Sequence, residues 1–160
     1  MDRRAMLGML GAGAVGVAVT GREAAAADEK HMHDRAHDDC LKACADGARA
    51  CDETFHHCVM EVAAGKKEHA RSVQLLSDCA GFCALSACMI AKHSPLMAYS
   101  CMACAEACKS TVAEIAKFDS EEMKVAAQAL RTCEKSCLAM VDSMKSHHGA
   151  HDAAEKRPIR

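Results

Sequence analysis

Three cysteines lie three and then four residues apart in Cys101-Met102-Ala103-Cys104-Ala105-Glu106-Ala107-Cys108. On an α-helix that spacing puts three sulfurs in one row on one face. The i, i+4 pair recurs as Cys40/Cys44, Cys79/Cys83 and Cys133/Cys137, and Cys51, Cys58 and Cys88 complete a set of twelve. Thiolates, with the thioethers of an 11-methionine chain, select soft ions, above all Cu(I). An i, i+4 pair can hold one such ion in a near-linear arrangement. Sulfurs that bridge two ions let the pairs chain together, giving a capacity on the order of one Cu(I) per cysteine. Bridging also keeps the cluster near neutral, as a low-dielectric core requires. Each thiol must lose a proton on loading. Empty, it packs as a small hydrophobe, so apo and loaded forms can share one fold.

The elements that position these thiols follow from the 3/4 alternation. The first helix is expected at about 34–64, with the row His37, Cys40, Cys44, Gly47/Ala48, Cys51, Phe55, Cys58, Val62. Residues 28–36 read as a frayed polar entry, and Gly65-Lys66-Lys67 as a stop. The second helix, about 67–93, carries Ser72, Leu76, Cys79, Cys83, Ser86, Ile90 and His93. Cys88 falls opposite that row, outside the core unless a π-bulge brings it in. Ser94-Pro95 starts a third helix, about 95–117. Asp119 or Ser120 caps a fourth, about 120–147, with the row Met123, Ala126, Leu130, Cys133, Cys137, Met140, Met144, His147. Four helices on short loops predict an all-α, antiparallel up-down-up-down bundle with a cysteine-lined core over residues 28–147. A disordered polar tail is expected at 148–160.

With helix ends as depth marks, ten of the twelve cysteines gather toward one end of the bundle, with Cys51 and Cys58 deeper. Cys44, Cys83, Cys108 and Cys137 are expected to form one layer. His33, His37, Met89, His93, Met97, Met140, Met144 and His147 collect at the near end. Of these, His33, His37, Met97, Met140, Met144 and His147 are the candidate mouth ligands, able to capture or hand over copper. Val62, Val73, Leu76, Ile115, Phe118 and Leu130 close the far end. His56, His57 and His69 read as surface, as do Glu106, Lys109 and Glu134.

The N-terminus reads as an export signal over residues 1–27. Arg3-Arg4 precedes a Gly-diluted apolar run from Ala5 to Val19, and Ala24–Ala27 offers small-residue cleavage sites. Adjacent arginines before such a run resemble a twin-arginine signal, with an ordinary secretory signal as the alternative. The run is short for a membrane span, and none is expected once the signal is removed. The rest is mildly acidic, so nothing points to a nucleic-acid partner. A disulfide scaffold is the usual reading of an exported Cys-rich chain, but such frameworks sit in loop-rich folds rather than at helical period. No CxxCH, HExxH or phosphate-binding Gly loop is present, and no enzyme is expected. A zinc buffer or a disulfide-stabilised redox interaction module are the rival readings.

The stretches Asp78-Cys79-Ala80-Gly81-Phe82-Cys83-Ala84-Leu85-Ser86-Ala87, Ser94-Pro95 and Cys101–Cys108 resemble the bacterial copper storage proteins, a Cys-lined four-helix-bundle family, over about residues 36–146. The resemblance implies storage of many Cu(I) ions on core thiolates, with that role falling on the twelve cysteines, and a homotetramer. Exported twin-arginine members look like suppliers of copper to cuproenzymes, in methane oxidisers notably the particulate methane monooxygenase. The location implied is periplasmic, or with internal membrane compartments of a bacterium. Ser86 and Thr111 depart from the pattern, on rows where another thiol would fit.

Overall fold

The computed structural model describes the backbone of residues 21–155 and the side chains of residues 35–145. Four helices follow in order: α1 Gly21–Ala63, α2 Ala70–Ala91, α3 Met97–Ile115 and α4 Glu121–Glu155, with a 3-10 turn Lys67–His69 leading into α2. Each helix packs on its chain neighbours, and α1 closes the ring against α4. This is an all-α antiparallel four-helix bundle. It has one contiguous core cluster, in which cysteine is the commonest residue.

The turns use the expected chemistry and one device the sequence does not announce. Gly65 takes φ +95°. The Lys66 and Gly65 amides then donate to Glu61 O and Val62 O, at 3.0 and 2.9 Å. Those paired bonds are a Schellman closure of α1. The end of α2 closes in the same way, with Ser94 N donating to Met89 O (3.0 Å) and His93 N to Ile90 O (2.9 Å). Here the left-handed residue is His93, at φ +49°. A side chain in that region costs on the order of 1 kcal/mol. His93 recovers contact by stacking on His37, with ring centroids 4.2 Å apart. The fourth helix starts where its cap was expected: the Ser120 hydroxyl accepts from Met123 N at 3.4 Å.

Several boundaries differ from the sequence expectation. The helix α1 begins at Gly21, so 28–36 is helical rather than frayed. The helix α4 runs through Glu155 rather than ending at 147, so the part of the expected tail that is described, to Glu155, is helical. Ala-rich and Glu/Lys-containing stretches have high helix propensity, and a helix with no stop signal continues. Residues 1–20 and the side chains of His33 and His147 lie outside what the structure describes. The 25-residue segment Lys67–Ala91 is long and apolar enough by length and composition to cross a membrane. Its row of Ser72, Leu76, Cys79, Cys83, Ser86 and Ile90 is buried within the bundle.

Candidate metal centre

Eleven of the twelve cysteines are buried, and all twelve are free thiols. Their sulfurs form a continuous ladder. Cys137 lies 3.9 Å from Cys40 and 3.5 Å from Cys44. Cys44 lies 3.8 Å from Cys133, and Cys133 is 3.7 Å from Cys104. Cys104 is 3.6 Å from Cys83, Cys83 is 3.8 Å from Cys108, and Cys108 is 3.8 Å from Cys79. Cys101 joins at the outer end, with Cys40 and Cys137. Cys51 joins at the inner end, hydrogen-bonded to Cys79. Sulfurs bound to one ion at about 2.3 Å lie roughly 3.8 Å apart in a tetrahedral set. The ladder is therefore spaced for metal ions without rearrangement of the helices.

Three sets have all their sulfurs within 4.8 Å of one another: Cys40/Cys101/Cys137, Cys44/Cys104/Cys133/Cys137 and Cys83/Cys104/Cys108/Cys133. Cys104 and Cys133 belong to both four-sulfur sets. The expected layer of Cys44, Cys83, Cys108 and Cys137 does not form. The cause is a slide of about one turn between the α1/α4 pair and the α2/α3 pair. It shows at the mouth, where His37 faces His93. The outer helices run 43 and 35 residues against 22 and 19 for α2 and α3. They overshoot the α2–α3 turn, so helix ends are poor depth marks.

The slide is accommodated at Gly47, whose absent Cβ would sit 3.2 Å from Cys83 Sγ and 3.4 Å from Cys133 Cβ. A glycine there lets α1 approach the thiols closely.

Cys88 is the exposed cysteine. The helix α2 is regular through it, so no bulge turns it inward, and it stands apart from the ladder. Cys58 is fully buried but lies beyond the ladder's inner end. Neighbouring sulfurs push the ladder's thiols in opposite directions. The Cys101 and Cys137 thiols beside Cys40 hold it well below the ordinary range, and contact with Cys101 and Cys104 pushes Cys137 far above it. A first ionised sulfur is thus stabilised by its S–H neighbours, while further ionisation needs a compensating cation.

Burial, helped by the charge of Glu61, pushes the Cys58 thiol from 9.0 to about 11. The folded form therefore holds this proton more tightly than the unfolded chain. Its contribution is complete below about pH 9 and is lost as pH rises through about 11. The urea midpoint of the metal-free protein is expected to fall across that window. Cys58→Ala should flatten part of the fall, as read by circular dichroism.

At the mouth, Met97 and Met140 are buried and Met144 half-buried. His37 is buried, and its Nε2–H donates to Ile90 O at 2.8 Å, which leaves Nδ1 facing Asp38 at 3.8 Å. His37 therefore also ties α1 to the end of α2. At the far end, His69 is buried rather than surface. It stacks on Phe118 at 4.1 Å, because the 3-10 turn swings it over the end of the bundle. Phe55, Val62, Val73 and Phe118 are only half-buried there, while Leu76, Ile115, Met123 and Leu130 are fully enclosed. Thr54 and Glu114 are buried without having been read as core. Glu114 is neutralised by Arg71 (3.2 Å) and Lys117 (2.7 Å). Thr111 donates to Leu75 O at 3.2 Å and also hydrogen-bonds Cys79, ending the ladder with a hydroxyl.

Comparison with known proteins gives a consistent picture. The family model described as copper storage protein matches residues 24–142. An uncharacterized cysteine-rich protein of Bacillus subtilis, YhjQ, is 32% identical over 103 residues, which are 63% of this chain and 92% of that protein. The Cu(I)-bound copper storage protein BsCsp3 superposes with a TM-score of 0.63 at 29% identity, over 66% of this chain and 98% of that one. The apo Csp3 of Bacillus subtilis gives 0.57 at 31%, over 65% and 97%. A mutant Ccsp of Streptomyces lividans, 24% identical, shares the fold with a TM-score of 0.63 over 68% and 95%.

Proposed function

We propose that this chain, which belongs to the copper storage protein family, holds many Cu(I) ions on its buried thiolates and gives them up to copper-requiring enzymes. The observation that carries the reading is the sulfur ladder, in which Cys104 and Cys133 are shared between two four-sulfur sets. Shared sulfurs favour ions that accept bridging thiolates at low coordination number, as Cu(I) does. Discrete zinc centres use four ligands each. Two isolated tetrahedra cannot both be completed from these two sets. The Cu(I)-bound state of BsCsp3, a relative at 29% identity, points the same way.

No catalytic role is proposed. A nucleophilic thiol needs a positioned base, and the ladder surrounds each sulfur mainly with other sulfurs. The rival from another class is a disulfide-stabilised redox module. Titration of thiols in the isolated metal-free protein separates the two. Storage requires nearly all twelve to react once the protein is unfolded, whereas a majority of disulfides would overturn it.

Copper is proposed to enter at the α2–α3 turn, where Met97, Met140, Met144 and His37 stand outside the first sulfur set. His33 and His147 extend the same rows outward along α1 and α4. Thioethers and imidazole there would bind Cu(I) more weakly than thiolates and pass it inward. Met97→Ala combined with Met144→Ala is expected to slow uptake and chelator-driven removal several-fold in stopped-flow measurements, with capacity nearly unchanged. A loss of several ions would make these residues storage ligands instead.

Arg3-Arg4 and the apolar run after it support export by the twin-arginine route, to the periplasm or internal membrane compartments of a bacterium. A homotetramer is the proposed assembly. Its support is the exposed apolar surface of Phe82 and Leu85 on α2 and Leu96, Tyr99 and Met102 at the start and along the side of α3. The recipient is a cuproenzyme or a copper chaperone.

A further inference from the structure

The outer end of the sulfur ladder is shut. Cys40, Cys101 and Cys137, the outermost set, are fully enclosed. Further out on the rows of α2 and α4, Ile90 and Met140 are fully enclosed too, and Met97 on α3 is only 6% exposed. An ion that reaches the ladder from this end must therefore displace a side chain. His37, one turn outside Cys40 on α1, is also buried. Two contacts tie it to the end of α2. Its Nε2–H donates to Ile90 O at 2.8 Å, and its ring stacks on His93 with centroids 4.2 Å apart and planes 9° from parallel. His93 itself is exposed, so it lies over His37 as an outer cover.

These contacts can be given up at little cost. Ile90 O accepts a second hydrogen bond, from His93 N at 2.9 Å, as part of the turn that closes α2. If His37 swings outward, that carbonyl keeps a partner and Nε2 finds one in water. No buried polar atom is orphaned, so opening forgoes one hydrogen bond and one ring stack. Ile90, Met97 and Met140 sit instead on helical backbone within the core rows, and moving any of them disturbs close packing. The backbone at His93, φ +49°, suits glycine or asparagine better than histidine. An imidazole at that position therefore serves the stack rather than the turn.

We propose that the His37–His93 stack is a latch on the route into the ladder. Closed, it seals the outermost set of Cys40, Cys101 and Cys137. Open, with His37 turned from Ile90 O toward water, it bares the Cys40 sulfur to an incoming ion or to a chelator. The deeper thiols stay packed, so the bundle need not unfold to load. The latch sets how fast ions exchange and leaves unchanged how many are held. That copper is what passes rests on the storage reading above; that the stack closes this end does not.

Iodoacetamide labelling of the reduced, metal-free full chain, mapped residue by residue by mass spectrometry, tests the latch without copper. His93→Gly deletes the cover and suits the left-handed backbone, so the turn is kept. Cys40 and Cys101 are expected to react on the order of three- to tenfold faster than in the unmodified protein, the weight of one aromatic pair. Cys58, buried toward the opposite end, should keep its rate. His93→Asn, which also tolerates that backbone, should behave alike. Removal of Cu(I) by a chelator should accelerate by a similar factor in both variants, with capacity unchanged. Unchanged labelling at Cys40 and Cys101 overturns the latch. So does a rise that Cys58 shares, which would mean a loosened bundle. Slower copper removal would also overturn it, because His93 would then carry copper rather than cover its route. Faster labelling in a protein that takes up no copper would fail the storage reading and leave the latch standing.

Discussion

Replacing Cys104 and Cys133 together with alanine is expected to remove on the order of half the copper capacity, although only two of twelve thiols are lost. Both residues belong to both four-sulfur sets. Their removal leaves Cys44 and Cys137 on one side and Cys83 and Cys108 on the other, with no bridge between. Residues that act in one network are non-additive, and here the excess over two ions measures the bridging. Removing Cys51 and Cys79 at the inner end should cost about two ions, because fewer bridges run through them. Cys88→Ser should cost none, since that thiol is exposed and apart from the ladder. Competition with a Cu(I) chelator at saturation reads all three variants. Equal losses from the two double variants would mean that each thiol holds copper independently.

Gly47→Ala is expected to separate stability from storage. In a helix interior, alanine is favoured over glycine by about 1 kcal/mol. The added methyl carbon would stand 3.2 Å from Cys83 Sγ and 3.5 Å from Cys133 Sγ. In the metal-free protein these contacts offset most of that gain, and the net change should lie within about 1 kcal/mol. In the loaded protein the methyl group occupies space beside sulfurs that must hold ions, so capacity should drop by several ions. Gly47→Leu should go further and destabilise the empty bundle by about 1–3 kcal/mol through overpacking. Urea denaturation and copper titration on the same samples check both statements.

Much of the architecture is legible because cysteine here occupies the hydrophobic positions. Read as apolar, it restores the 3/4 rows of all four helices. The α2 row from Ser72 to Ile90 is buried as the period requires. The caps at Gly65 and Ser120 are equally local, and they appear where the residue types place them. What escaped the sequence is long-range. The one-turn slide depends on how far α1 and α4 overshoot the α2–α3 turn, which no local pattern encodes. Gly47 was the available signal, as the one glycine within the first helix's thiol row. The burial of His69 also depends on a partner distant in sequence, Phe118, and on a 3-10 turn where a continuous helix was expected. In the sequence His93 stands as the last position of the core row of the second helix. Its left-handed backbone exists only because a Schellman turn needs a residue there and His37 is opposite to stack on it. Cys88, by contrast, was placed off the row by phase alone, and it is exposed.

Under the proposed function the bundle core is one shared copper reservoir. Anaerobic titration of the reduced, metal-free protein with Cu(I) against a competing chelator, and in parallel with Zn2+, tests it most directly. A shared reservoir gives a single high-affinity phase that saturates on the order of ten Cu(I) ions per chain, near one per buried thiol, with copper displacing zinc from the ladder. Saturation at about three ions, with zinc held more tightly than copper, would contradict it and leave a set of discrete tetrahedral centres instead.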